Sequence, residues 1–262
     1  MFIEDKTSAI EKACRVLKAL SDGRNTRLVD IANYVGLDKS TVMRVLDILT
    51  REGLVARDSE SKRYRLGVEI ARIANGVSEE IDWRGVARPS LLRLSGEFED
   101  TTLMSVVSGL EMICVDLQTG SYPVRANFQA IGSRRTLGVG SSGLAVLAAF
   151  REPERNAALS QIGTRISRYP MLTPEFLRDA IARTQEKGYA VLIDAVVQRM
   201  GGIAVAIRSR SGEPIAALAI SALSDRILER EEALGAALRS EAAKAEEALT
   251  APNGSAENPG PR

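Results

Sequence analysis

The first 67 residues pass through three short helical patterns and then switch to the alternation that is typical of β-strands. Apolar residues recur at helical spacing in three segments: 8–21, 28–36 and 38–53. Gly36 is suited to end the second helix, and Asp38 is suited to cap the third. From Leu54 onward, two short apolar runs flank the polar tip 58–61, which predicts a hairpin. This order predicts a winged helix-turn-helix.

The third predicted helix presents the side chains that could contact a DNA duplex. If Val42, Leu46 and Leu49 pack inward, the polar residues between them point outward. Hydroxyls and backbone N–H groups in a first helical turn favour phosphate, and an arginine matches the edge of guanine. Basic residues in the hairpin would follow the DNA backbone. The predicted DNA-binding residues are Lys39, Ser40, Thr41, Met43, Arg44, Lys62 and Arg63.

The charge distribution agrees with a DNA-binding N-terminal segment, although the asymmetry is modest. Residues 1–66 contain 13 Lys and Arg against 10 Asp and Glu, and the remaining residues contain 22 against 24. The net charges of the two parts are therefore +3 and −2.

The chain has no histidine, which excludes Ser-His and Cys-His catalysis and histidine-bound zinc or haem. Its two cysteines, Cys14 and Cys114, are too far apart in sequence for a metal motif, and we expect both in the core. No window reaches the ~18 apolar residues of a membrane span, and the start lacks a signal-peptide core. We expect a cytoplasmic protein with no membrane partner, no metal and no cofactor.

The second half of the chain combines strand and helix patterns. Alternation predicts strands at 101–108, 111–117 and 123–128, and three later strands in the segments YAVLIDAV, GIAVAIRS and PIAALAISAL. Helical spacing predicts helices at 142–150, 174–187 and about 225–250. Because the strands come in hairpins, the sheet should be mostly antiparallel and covered by helices. The predicted fold class is α+β with two domains.

The predicted domain organisation follows from these changes of pattern. It consists of a DNA-binding domain (1–67), a linking helix (68–82), a second domain (83–250) and a disordered tail (251–262).

The segment from Gly138 to Gly143 satisfies G-x-G-x-x-G, a pattern with three interpretations. It could bind a dinucleotide, but this requires a buried strand before it and an acidic residue about 20 positions later, and neither is evident. It could be a turn that only starts a helix. It could also form one wall of an effector pocket, with the N–H groups of the helix start and Ser141 and Ser142 facing a ligand.

The N-terminal segment resembles the DNA-binding domain of IclR-type transcriptional regulators. The resemblance is most specific in Lys39-Ser40-Thr41-Val42 and Tyr64-Arg65-Leu66-Gly67. It continues through ARPSLLRLSGEFEDT, LGVGSSGLAVLAAF, KGYAVLIDAV and AALAISAL, and so covers nearly the whole chain. It implies a winged helix-turn-helix joined by a helix to a GAF-like domain that binds a small molecule, assembled as dimers or tetramers. A homo-oligomer is also expected because one small winged helix reaches few base pairs.

The resemblance also implies which residues line the effector site. They are Gly140, Ser141, Ser142, Leu192, Asp194, Gly202 and Ser221. In similar proteins an acidic residue often stands where this chain has Leu192, and a cysteine where it has Gly202. The loop also lacks the histidine and lysine that are common there. We therefore expect a less polar pocket and a bulky apolar or aromatic acid as effector.

Three functions remain to be distinguished. The leading hypothesis is a ligand-responsive, DNA-binding transcriptional regulator that is not an enzyme. The first alternative is a nicotinamide-dependent oxidoreductase that uses the loop of Gly138, Gly140 and Gly143. The second alternative is a DNA-binding protein without an effector.

Overall fold

The chain forms two compact units, residues 1–82 and residues 83–262. The computed structural model describes residues 8–21, 23, 25–77, 82–125 and 129–250. The predicted tail and part of the predicted strand at 123–128 lie outside the described residues. Within those ranges, no helix is long and apolar enough to cross a membrane.

The first unit is helical and carries a small two-stranded sheet. Its elements are α1 (Ala9–Leu20), α2 (Leu28–Val35), α3 (Lys39–Arg51), β1 (Val55–Arg57), β2 (Tyr64–Leu66) and α4 (Val68–Val77). Local signals set the helix ends: Ser8 and Glu11 form a capping box, Gly36 takes the left-handed conformation with φ 69°, and Asp38 caps α3. The three predicted helices and the hairpin are confirmed.

The core of the first unit lies between its three helices and the hairpin. Val16, Ile31, Val42, Leu46 and Tyr64 are all buried there. The prediction of a core position for Cys14 is wrong, because this residue is exposed. It precedes Val16 by two positions and therefore lies on the opposite side of α1.

The second unit has an antiparallel sheet as its central layer. Its elements are α5 (Trp83–Phe98), β3 (Thr101–Ser108), β4 (Glu111–Gln118), β5 (Arg134–Thr136), α6 (Ser141–Ala149), α7 (Glu152–Ile166), α8 (Pro174–Lys187), β6 (Ala190–Ile193), β7 (Met200–Arg208), β8 (Pro214–Leu223), α9 (Ser224–Leu228) and α10 (Glu231–Thr250). The strand order is β5-β4-β3-β8-β7-β6, and every neighbouring pair is antiparallel. The predicted α+β fold class is confirmed.

Each face of the sheet carries its own apolar cluster. Helices α6, α7 and α8 cover one face, where Leu103 packs with Leu144, and α5 and α10 cover the other, where Met104 packs with Leu91. Successive residues of a strand point to opposite faces, so Leu103 and Met104 enter different clusters. The same alternation decides which strand residues can face a ligand.

One strand prediction is wrong in part, and one strand of the structure was not predicted. The predicted strand at 123–128 is wrong for residues 123–125, which form no strand, and residues 126–128 are outside the described part. Pro123 lacks the N–H that a ladder requires. The edge position is taken by β5, which was not predicted because its residues are polar; it pairs with β4 through Arg134 and Ile113. A short edge strand tolerates charged side chains because one side of it faces solvent.

Two helix predictions also differ from the structure. Helix α7 was not predicted, because among its residues only Ala158, Ile162 and Ile166 are buried and the apolar spacing is weak. The last predicted helix is divided into α9 and α10. Near the break, Arg230 binds the carboxylate of Asp100 and the carbonyl of Phe98, contacts that no local pattern encodes.

Candidate DNA-binding surface and effector pocket

Helix α3 divides into a buried face and an exposed face as predicted. Val42, Leu46 and Leu49 are buried, whereas Lys39, Ser40 and Arg44 are exposed. Thr41 and Met43 are half-buried. The Tyr64 hydroxyl lies 3.7 Å from the sulfur of Met43, so Met43 also joins α3 to the hairpin. The exposed face is available to a duplex, with Arg44 one turn from the helix start.

The first turn of α3 is already occupied by the chain's own cap. Oδ1 of Asp38 accepts hydrogen bonds from the Thr41 N–H at 2.8 Å and from the Ser40 hydroxyl at 2.6 Å. The bond from Ser40 contributes most to holding the pKa of Asp38 well below its usual value. The expectation of free N–H groups for a phosphate therefore needs correction at Thr41. Lys39 and Arg44 are the cations of this helix start.

The hairpin tip is held together by internal hydrogen bonds. Oδ1 of Asp58 accepts from the N–H and the hydroxyl of Ser61, both at 2.7 Å. Lys62 has a left-handed backbone with φ 56°, and its ammonium donates to the Ser59 carbonyl at 2.6 Å. Arg63 is exposed. Sequence reasoning did not name Arg57, which is also exposed and lies 5.2 Å from the ring centroid of Tyr64.

The second unit contains a pocket where α6 begins, above one end of the sheet. Its volume is about 620 Å³ including the open mouth. Six of the seven predicted effector residues line it: Gly140, Ser141, Ser142, Leu192, Gly202 and Ser221. Asp194 does not belong to its walls, because the carboxylate accepts a hydrogen bond from the Ser224 hydroxyl at 2.6 Å. The structure thus brings six of these residues together, and their role in binding stays a prediction.

The pocket also contains a cation that sequence reasoning missed. Arg135 lines the cavity, and one guanidinium nitrogen lies 3.5 Å from where a Cβ on Gly140 would stand. Burial lowers the pKa of Arg135, which means that its charge has lost part of its hydration. An arginine nonetheless keeps its charge at neutral pH, so an anion in the pocket would be stabilised. The sequence contained one signal for this contact. Successive residues of a strand point to opposite sides, so one of Arg134 and Arg135 had to face inward.

The remaining walls combine apolar and uncharged polar groups. Leu103, Met112, Val139 and Met200 supply apolar surface, and Ser105 and Gln129 supply polar groups. The pocket is therefore less apolar than the sequence indicated, and Arg135 contributes a positive charge to its wall.

The glycines of the loop before α6 have structural roles. A Cβ on Gly143 would lie 2.8 Å from the backbone nitrogen of Gly138, so the helix start and the loop are in close contact. A Cβ on Gly202 would lie 2.6 Å from Oγ of Ser141, so the absent side chain lets α6 approach the sheet. The strand before the loop, β5, is a short edge strand antiparallel to β4. This is not the parallel βαβ unit of a dinucleotide site, so the oxidoreductase interpretation is wrong.

A winged helix-turn-helix unit and a unit with an internal pocket, joined in one chain, define a one-component transcriptional regulator. The family model described as "IclR helix-turn-helix domain" matches residues 9–59, and the model described as "Bacterial transcriptional regulator IclR C-terminal" matches residues 76–246. The chain belongs to the IclR family of transcriptional regulators. It is therefore a DNA-binding regulator with an effector domain and not an enzyme.

Individual relatives share most of their length with this chain. The HTH-type transcriptional regulator XynR of Escherichia coli is 28% identical over 84% of this chain and 87% of its own. The HTH-type transcriptional regulator Rv1719 of Mycobacterium tuberculosis is 31% identical over 86% of this chain and 84% of its own. A crystal structure of an IclR homolog from Microbacterium hydrocarbonoxydans, complexed with 4-hydroxybenzoate, is 27% identical with a TM-score of 0.75, covering 92% of this chain and 99% of that one.

Proposed function

We propose that this regulator is controlled by an aromatic or similarly bulky apolar carboxylic acid that binds in the pocket of the second unit. The observation that carries the proposal is Arg135 in a cavity whose walls include the apolar side chains of Leu103, Met112 and Leu192. The guanidinium and the N–H groups at the start of α6 would bind the carboxylate, and Leu103, Met112 and Leu192 would contact the ring. The complex of the Microbacterium homolog with 4-hydroxybenzoate supports this class of ligand.

Calorimetric titration tests the effector class directly. We expect the full chain to bind benzoate and related ring acids more tightly than glyoxylate, because the small acid leaves the apolar walls uncovered. Tight binding of glyoxylate without binding of ring acids would contradict the proposal. If no acid shifts the melting temperature, the interpretation as a DNA-binding protein without an effector gains support.

For the DNA-binding unit, we propose that the seven predicted residues contact the operator. They are Lys39, Ser40, Thr41, Met43, Arg44, Lys62 and Arg63. In this proposal residues 1–67 form the DNA-binding domain, 68–82 link it to the rest, and 83–250 form the effector domain. Arg44 would read a base edge, whereas Lys62 would contact phosphate.

Replacing Arg44 by alanine should weaken operator binding by ~1–3 kcal/mol and relax the preferred base at one position. The operator is first obtained by selecting DNA from a random pool with the wild-type protein. Affinity is then measured by gel shift on the selected site and on single-base variants. Lys62→Ala should instead weaken all sequences alike and reduce the salt slope by about one.

Arg178→Ala is the matched control for Arg44→Ala, because Arg178 lies on α8 in the second unit and pairs with Glu175. It should leave operator affinity and base preference unchanged. Unchanged operator affinity in Arg44→Ala would show that α3 does not read the duplex in the proposed way.

The homo-oligomer that we propose would form through an apolar surface of the first unit. On α1, Ile10 is 77% exposed and Cys14 is also exposed; on α4, Val68 is 81% and Ile73 50% exposed. Ile10 and Cys14 are four positions apart and therefore lie on one face of α1, which an oligomer interface would bury. A second copy would cover Ile10, Val68 and Ile73, leave two Cys14 thiols close together at the edge of the interface, and place two α3 helices on one operator.

A short bis-maleimide reagent should cross-link two chains through Cys14. Cys114 is buried and should not react, so the dimer band is expected in the wild type and absent in Cys14→Ser. Denaturing gel electrophoresis after brief treatment provides the measurement. A chain that sediments as a monomer at micromolar concentration would contradict the proposed oligomer.

A further inference from the structure

Thr101, the first residue of β3, has a buried hydroxyl without a partner. The residue is 2% exposed. Among the buried side-chain nitrogen and oxygen atoms of the described residues, Oγ1 of Thr101 is the one that makes no hydrogen bond. Leaving a buried hydroxyl unpaired is unfavourable, and folded proteins pair most such groups. This hydroxyl therefore calls for a partner that the chain itself does not provide.

The register of the sheet places Thr101 beside the effector pocket. Thr101 pairs with Ser221, Ser221 pairs with Gly202, and Gly202 pairs with Leu192. Residues directly opposite each other on neighbouring strands share one face of the sheet. The other three residues all line the pocket, and Thr101 continues this row on the same face of the sheet, next to the pocket wall but not part of it. Leu103, the next residue of β3 on the same face, also lines the pocket.

Ser221 is itself poorly satisfied. Its hydroxyl donates to the carbonyl of Gly201 at 3.4 Å, which is near the upper limit for such a bond. Thr101, whose hydroxyl is unpaired, and Ser221, whose hydroxyl is weakly bonded, thus occupy directly opposite positions on β3 and β8. Each hydroxyl can donate one hydrogen bond and accept two.

The opposite face of β3 shows that this is not a general property of the strand. Thr102 is fully buried, and its hydroxyl donates to the carbonyl of Leu91 at 3.0 Å. The unsatisfied hydroxyl is therefore confined to the face that carries the pocket.

We propose that Thr101 and Ser221 form a hydroxyl pair that binds a polar substituent of the effector, such as a ring hydroxyl. The inference rests on the proposed function and adds to it a second polar contact, made by β3 and β8, besides the carboxylate contact made by Arg135. Ser221 meets the substituent at the pocket wall, and the substituent reaches past Ser221 to the Thr101 hydroxyl, which no described group of the chain pairs. The preferred effectors are then hydroxylated aromatic acids rather than unsubstituted ones.

The test compares benzoate with 4-hydroxybenzoate on the full chain by calorimetry, using the wild type, Thr101→Val and Thr102→Val. The wild type should bind the hydroxylated acid about tenfold more tightly. Thr101→Val should lose about fivefold in affinity for 4-hydroxybenzoate and keep its affinity for benzoate within about twofold. Thr102→Val removes a buried hydroxyl from the other face and should retain the preference of the wild type.

Thermal unfolding without ligand gives a second readout. Thr101→Val should melt at the wild-type temperature or above it, because it replaces an unsatisfied hydroxyl with a methyl group of similar size. Thr102→Val should melt lower because it loses a hydrogen bond. A lower melting temperature in Thr101→Val would show that the hydroxyl is satisfied within the fold and would overturn the inference.

The calorimetric outcomes separate this inference from the proposed function. If the wild type and Thr101→Val both bind benzoate and 4-hydroxybenzoate with the same affinity, the inference about the hydroxyl pair is wrong. The proposed carboxylate contact of Arg135 is not affected by that result. If the wild type binds neither acid, the proposed effector class fails and the hydroxyl pair fails with it.

Discussion

Replacing Arg135 by glutamine should lower the affinity for an aromatic carboxylate by about 10- to 100-fold. Hydrogen bonds to charged groups contribute about 1.5–3 kcal/mol, and this guanidinium has lost part of its hydration, as its lowered pKa shows. Glutamine keeps hydrogen-bonding capacity but removes the charge. Calorimetry with benzoate on the full chain measures the loss, and operator release by the same acid should require a correspondingly higher concentration.

Arg134→Gln is the matched control for Arg135→Gln. Arg134 precedes it in the same strand, and its guanidinium donates to Glu111 at 2.8 Å instead of lining the pocket. The control should therefore bind the acid like the wild type. Equal losses in both variants would indicate that removing charge from β5 has a general effect, and the assignment of Arg135 would be wrong.

Replacing Glu241 by glutamine should destabilise the second unit by about 3 kcal/mol at pH 7. Burial raises the pKa of Glu241, but hydrogen bonds from Arg93, Lys244 and Ser90 outweigh it and lower the pKa to about 2. Because the pKa is lower in the folded chain, the carboxylate stabilises the fold above its unfolded pKa. This contribution is lost as the pH falls from about 4.5 toward 2. The difference between wild type and variant should shrink over that range.

Urea denaturation followed by the fluorescence of Trp83 measures this effect, because Trp83 is the single tryptophan of the chain and belongs to the second unit. Glu232→Gln removes an exposed carboxylate from the same helix and should change the free energy of unfolding by less than about 0.5 kcal/mol. A destabilisation by Glu241→Gln that stays constant from pH 7 to pH 3 would show that lost packing, rather than lost charge, is responsible.

The first unit could be predicted almost completely from the sequence because its signals are local. Ser8, Gly36 and Asp38 set helix ends through contacts with residues at most three or four positions away. The apolar spacing of α3 then decided which side is exposed. The N-cap predicted at Asp38 already implies that one N–H of the first turn is occupied, and the structure identifies it as the N–H of Thr41.

The fold class of the second unit could be predicted from the sequence, but the residues that line its pocket could be predicted only in part. Arg135 enters the cavity because β5 pairs with β4 and the chain then turns at Gly138 and Gly140, and this arrangement depends on contacts distant in sequence. Asp194 is an acid near the expected position, yet Ser224, thirty residues later, binds it away from the pocket. The family resemblance named residues of the glycine-rich loop and Ser221, which line one pocket in the structure, whereas Thr101 became visible only through the strand register.

Helix α6 has an environment that limits how the effector specificity of this protein could change. Its residues from Ser141 to Ala148 are all buried, and it packs against β7, β8 and α8. Enlarging a side chain there would displace three neighbouring elements at once, whereas Val196, Val197 and Gln129 also line the pocket and are only partly buried. Substitutions that change the preferred effector should therefore accumulate at these partly buried residues. Libraries for the laboratory evolution of a new effector specificity should be confined to them.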